Sequence, residues 1–142
     1  MKNLIKNLIK IYMDKYNVNN DNLIAEFMGY TIRIMHDTSS YGHGGASYRY
    51  CKDGVTTNAV YYSKSWEWLM DVVEQIEKTE YGSCVNGFCT SITDSWCYIS
   101  NVHEMDTQVE FKSMVGLGIS KKEAVYNLVL EFINWYNILI IK

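Results

Sequence analysis

A chain of 142 residues, 48% hydrophobic and 14% aromatic, has the length of one domain and the material for a substantial core without disulfide or metal staples. Its formal net charge of −3 supplies no broad positive field, which excludes generic binding to duplex or single-stranded nucleic acid, although a small basic pocket stays open. Four cysteines without a secretory pattern read as reduced thiols.

The opening MKNLIKNLIKIYMDKYN has some apolar character of a signal peptide, but Lys6 and Lys10 interrupt it and no small-residue cleavage site follows. Leu4, Ile5, Leu8, Ile9, Tyr12 and Tyr16 recur instead at spacings of three and four, predicting a soluble amphipathic helix whose stripe needs a partner. Asn and Asp residues break that pattern over NVNNDN. Asp21 is then placed to cap a short second helix, LIAEFM, and Gly29 to end it in the left-handed region.

YTIRIMH alternates Tyr30, Ile32 and Ile34 against Thr31, Arg33 and Met35, which predicts a strand with Arg33 facing away from the core. SYRYC is a second strand, KDGV carries the Asp-Gly pair of tight hairpins, and TTNAVYY is a third strand. Ser63 or Ser65 caps a helix burying Trp66, Leu69, Met70, Val73 and Ile76. FCTSITDSWCYIS reads as two β-rich runs about a turn at Asp94-Ser95, and TQVEFKSM as a further strand with Val109 and Phe111 inward. Ser120 and Glu123 form a capping box, and the helix it opens buries Ala124, Val125, Leu128, Val129, Phe132 and Tyr136. NILIIK, at its end, is far shorter than the roughly 20 residues of a membrane span.

Three of these stretches, NLIAEFMGY (22–30), YYSKSWEWLMDVVEQIE (61–77) and KKEAVYNLVLEFINWYN (121–137), resemble the phage ABA-sandwich domain family of bacteriophage and prophage proteins. The resemblance covers about residues 22–137. With the order of elements, it implies an α+β fold: a three-layer α/β/α sandwich with a mostly antiparallel sheet. Residues 1–20 become an N-terminal helical extension and 21–142 a single sandwich domain. The family carries no established reaction, so the resemblance implies no catalytic residues and no cofactor.

The glycine-rich SSYGHGGASYRYC (39–51) is the least ordinary segment. It lacks the Lys and Ser or Thr of a P-loop, and no helix follows it closely. Arg33 and Arg49, the chain's two arginines, are nevertheless placed to clamp a small anion, with Tyr41, His43 or Tyr48 covering a base. The competing reading is a hairpin loop that is glycine-rich because turns need positive φ. Cys84 and Cys89 lack the close spacing of a structural zinc pair, so no metal is expected. A Cys89 or Cys97 nucleophile with His103 lies in an acidic neighbourhood, which opposes an activated thiol.

Trp68 and Trp135 fall off the main stripes of their helices and, with Tyr12 and Ile140, are candidate anchors for a protein interface or a second copy of the chain. The expectation is therefore a cytoplasmic protein of an infected or lysogenic bacterium that works by binding a host protein, plausibly a defence component, without catalysis. A sponge for a small nucleotide signal is the first alternative and a Cys/His enzyme the second. A concave site where both arginines converge favours the sponge; an exposed aromatic patch favours the protein binder.

Overall fold

The chain folds as an α+β protein with helices and two separate antiparallel three-stranded sheets. In this computed structural model the described residues are 4–5, 19–36, 46–81, 85–101, 109–116 and 118–141. The expected N-terminal helix lies outside them except for Leu4 and Ile5, which are helical and exposed. The strands do not form one sheet: they divide between two compact units, residues 1–61 and 62–142.

In the first unit, α1 (residues 19–27) precedes β1 (Thr31–His36), β2 (Ala46–Lys52) and β3 (Val55–Thr57), which pair in the order β1-β2-β3. The helix is already formed at residue 19, so Asp21 is not its cap. Asp21 sits buried in the first turn, where a carboxylate is favoured by the unpaired amides of the helix end. Gly29, at φ +94°, ends α1 as expected: its amide bonds Glu26 O, and the Tyr30 amide reaches Ala25 O, the two bonds of a Schellman motif. Asp53 and Gly54 both have positive φ, 52° and 80°, the signature of a type I′ turn, and this fixes Lys52 opposite Val55. The third strand stops at Thr57, earlier than TTNAVYY suggested. Ile32 is half-buried opposite buried Tyr50, but Ile34, expected inward, is 55% exposed. Core cover on this face extends only along the end of β1 nearest α1.

The second unit is built differently. α2 (Trp66–Glu77) is capped by Ser65, whose hydroxyl accepts from the Trp68 amide. Its buried stripe is Leu69, Val72, Val73 and Ile76. Trp66, expected inside, is 40% exposed, because it is the first helical residue and precedes the turns that pack. β4 (Phe88–Ile92), β5 (Trp96–Asn101) and β6 (Glu110–Met114) form a meander in that order. Phe88, Cys97, Ile99 and Phe111 supply its buried face. α3 (Lys121–Ile141) packs against β5, β6 and α2. Besides the expected stripe it buries Tyr126, Leu130 and Ile133, leaving Glu123, Asn127, Glu131 and Asn134 exposed; Tyr136 is only half-buried. A helix packed on more than one side loses its simple two-faced pattern. At its start the Ser120 hydroxyl accepts from the Glu123 amide, half of the expected capping box. Lys121 bonds Asp94 in the β4–β5 turn at 2.8 Å, and this bond holds the Asp94 carboxyl below its ordinary pKa.

Candidate functional site

The β1–β2–β3 register places five side chains on one face of the first sheet. Thr31 pairs with Cys51 and Cys51 with Thr56, a row across all three strands, while Arg33 pairs with Arg49 in β1 and β2. Directly opposed residues share a face of an antiparallel sheet, with Cβ atoms about 5 Å apart. All five side chains are exposed and line one open concavity of about 320 Å³. No carboxylate is among them. Ion pairs among the described residues join Lys78 to Glu74 and Lys121 to Asp94, both in the second unit. Two guanidinium groups thus face one concavity with no counter-charge among the described residues that line it. Like charges directly opposite cost stability. Each guanidinium presents a planar fork of N–H donors that matches the geometry of an oxyanion.

Tyr48, expected to share this site, does not. Alternation along β2 sends Tyr48 and Tyr50 to the opposite face, where they line a second concavity of about 210 Å³ with Asp21, Asn58, Ala59 and Val60. The Tyr50 hydroxyl donates to Asn22 Oδ1, tying β2 to α1. Burial, then the Asp21 carboxylate and Tyr48, push the Tyr50 phenol up. Lys52 is also away from the arginines, 5.3 Å from the Tyr30 ring centroid. Tyr41 and His43 lie outside the described residues. The arginine face therefore has no aromatic platform among the described residues, and its chemistry is that of charge and hydroxyl donors.

Of the interface candidates, Trp68 is half-buried, edge-on to Tyr62 at 5.2 Å. Trp135 is half-buried within a ring cluster, 5.4 Å from Phe111, 5.7 Å from Phe132, 5.8 Å from Phe88 and 5.9 Å from Tyr81. Both make intramolecular contacts that explain their presence off the main stripes. Tyr12 and the Ile140 side chain lie outside the described residues. A different surface carries aromatic character: on the β4–β6 sheet, opposite its packed face, Lys112 Nζ lies 4.1 Å from the Trp96 ring centroid and 5.3 Å from that of Tyr98. Met114, paired with Trp96, is 50% exposed beside them.

Cys97 and Cys89 point to opposite sides of that sheet, the first fully buried and the second exposed. Burial pushes the Cys97 thiol up, away from the thiolate a nucleophile needs. His103 lies outside the described residues. Among the described residues no three His, Cys, Asp or Glu side chains group as metal ligands, and no helix is long and apolar enough to cross a membrane.

Thr31, Cys51 and Thr56 were missed by sequence reasoning, though the signal was present. Once Asp53-Gly54 is read as a two-residue turn, Cys51 must oppose Thr56. No protein-family model, curated protein or solved structure matches the chain. The likeness to the phage ABA-sandwich family accordingly rests on its three sequence motifs.

Proposed function

We propose that the protein works by binding rather than by catalysis, and that the arginine face of its first sheet captures a small phosphate-bearing ligand. On this reading the protein is a sponge for a small nucleotide signal, acting in the cytoplasm of a phage-carrying bacterial cell, the setting that the motif resemblance suggests. One observation carries this reading: Arg33 and Arg49 oppose each other in a concavity whose described lining residues include no carboxylate. Such a pair costs stability when empty and gains it when an anion is bound. Titration calorimetry with linear and cyclic nucleotides tests it. Arg33→Gln/Arg49→Gln should weaken binding by about ten- to a hundredfold, the worth of a lost charge-assisted contact. A blank result across the nucleotides would overturn the reading.

The second reading is inhibition of a host protein of the defence class through Trp96, Tyr98, Lys112 and Met114. Half-buried aromatic rings with a cation across them are the material of interface anchors. Recovery of a bacterial protein by pull-down, lost in Trp96→Ala/Tyr98→Ala and retained in the double arginine variant, would favour it over the sponge.

A further inference from the structure

We infer that the group held by the arginine face is a dianionic phosphate monoester, not the singly charged diester of a cyclic nucleotide. The inference rests on the anion-binding reading and narrows its ligand. Charge balance is the first argument. Arg33 and Arg49 bring two fixed positive charges to adjacent positions, and the lining residues Thr31, Cys51 and Thr56 offer no carboxylate to offset them. A phosphate monoester carries about −1.5 to −2 at pH 7, close to neutralising the pair. A diester carries a single negative charge and leaves half the repulsion in place.

The second argument is donor count. A monoester presents three non-ester oxygens and a diester two. Here two guanidinium forks stand beside hydroxyls on both flanking strands, Thr31 on β1 and Thr56 on β3. The third non-ester oxygen of a monoester gives these donors one more acceptor to meet. The third argument is what the face lacks. With Tyr48 and Tyr50 on the other side of the sheet, recognition falls on the charged head, and the open concavity leaves the ester substituent directed to solvent.

Occupancy has a built-in reporter. Cys51 is exposed in the row between Thr31 and Thr56, so an anion seated there shields its thiol. Cys89, exposed in the second unit, is an internal control, and buried Cys97 reports the integrity of the fold. Among the described residues, the charged and titratable groups that line the concavity are Arg33 from β1 and Arg49 and Cys51 from β2, while β3 adds Thr56. Guanidinium groups stay charged throughout. Affinity should therefore follow the second ionisation of the ligand, near pH 6, and weaken on the acid side.

The test uses the full chain, the neutral reagent N-ethylmaleimide and four probes: inorganic phosphate, a nucleoside 5′-monophosphate, the matching 3′,5′-cyclic monophosphate, and a phosphoserine peptide. Calorimetry at pH 7.5 should rank the 5′-monophosphate at least about tenfold above the cyclic form, a difference of about 1.4 kcal/mol. Inorganic phosphate and the 5′-monophosphate should slow alkylation of Cys51 but not of Cys89. Arg33→Gln and Arg49→Gln should each remove the protection while Cys97 stays unreactive. If the peptide binds more tightly than the nucleotide, the dianion is supported and its carrier is a protein; the reverse order supports the dianion with a small-molecule carrier. Equal or tighter binding of the cyclic form would overturn this inference and leave the anion-binding reading standing. Absence of binding and of Cys51 protection by every probe would overturn both.

Discussion

The two units differ in the core they bury and in the charges they expose. The second unit wraps α3 on more than one side and concentrates its rings around Phe132, which is fully buried and meets Phe88 edge-on at 4.9 Å and Phe111 at 5.6 Å. The first unit has a short helix and a three-stranded sheet on which Ile34, Met35 and Val55 are exposed and one face carries two opposed arginines with no carboxylate among the described residues lining their concavity. Apolar burial is the main favourable term in folding, and an opposed arginine pair subtracts from it. The candidate site thus sits on the unit with the thinner core, and the described strand pairs of the other unit oppose no two like charges.

The largest test of this contrast is Phe132→Ala. Removing a fully enclosed ring should cost about 3 to 5 kcal/mol in urea denaturation, whereas Ile34→Ala, at an exposed position, should cost under about 0.5 kcal/mol. Comparable losses would mean that the first sheet is as tightly covered as the second. Next comes the tryptophan pair of α2. Trp68→Ala removes a half-buried indole and its edge-on contact with Tyr62, and should cost about 1 to 3 kcal/mol. Trp66→Ala should cost under about 1 kcal/mol, since that ring lies at the exposed start of the helix. A reversed order would rotate α2 about its axis.

That pair also shows what the sequence made legible. Hydrophobic period placed α2, α3 and β1, and β-rich runs bounded by turn residues placed the other strands, with β3 drawn too long, because local spacing decides which face of an element is apolar. It erred where burial depends on what lies opposite. Trp66 has the right spacing but stands before the first packed turn, and Tyr126, Leu130 and Ile133 are buried because α3 has neighbours on more than one side. At the candidate site, alternation alone put Arg33 outward, and the Asp-Gly turn contained the register. Pairing across the 36–46 connection was not legible, because loop length does not fix which residue of β1 meets Arg49. Tyr48 was misassigned for a simpler reason: it neighbours Arg49 in sequence, and adjacent strand residues face apart.

Tyr50 offers a smaller test that separates the units by pH. Its phenol is pushed up, first by burial and then by Asp21 and Tyr48, so the neutral form is favoured in the folded chain. A raised folded pKa gives stability that is present below the unfolded tyrosine value, near 10, and is lost as pH rises through the folded one. Tyr50→Phe removes the bond to Asn22 and should cost about 0.5 to 1.5 kcal/mol at neutral pH. The variant should also lose less stability than the wild type on the alkaline side. Equal alkaline slopes, in denaturation curves at pH 8 and above, would show that the phenol is not held neutral by the fold.

The smallest effect bears most directly on the site. If Arg33 and Arg49 are an uncompensated pair, replacing either one in ligand-free protein relieves repulsion, and Arg33→Gln should leave stability unchanged or raise it by up to about 1 kcal/mol. Added salt should narrow the gap, since screening over about 10 Å at 0.1 M already weakens repulsion between exposed charges. Phosphate should invert the order, because only the wild type retains both halves of the clamp and gains stability from the bound ligand. The same substitution that helps the empty protein should therefore hurt the filled one, and thermal denaturation with and without phosphate reads both arms. A loss above about 1 kcal/mol without ligand would make Arg33 a structural residue with a partner inside the fold. The arginine face would then be part of what holds the first unit together, and the contrast between a stabilising second unit and a binding first unit would fail at its most specific point.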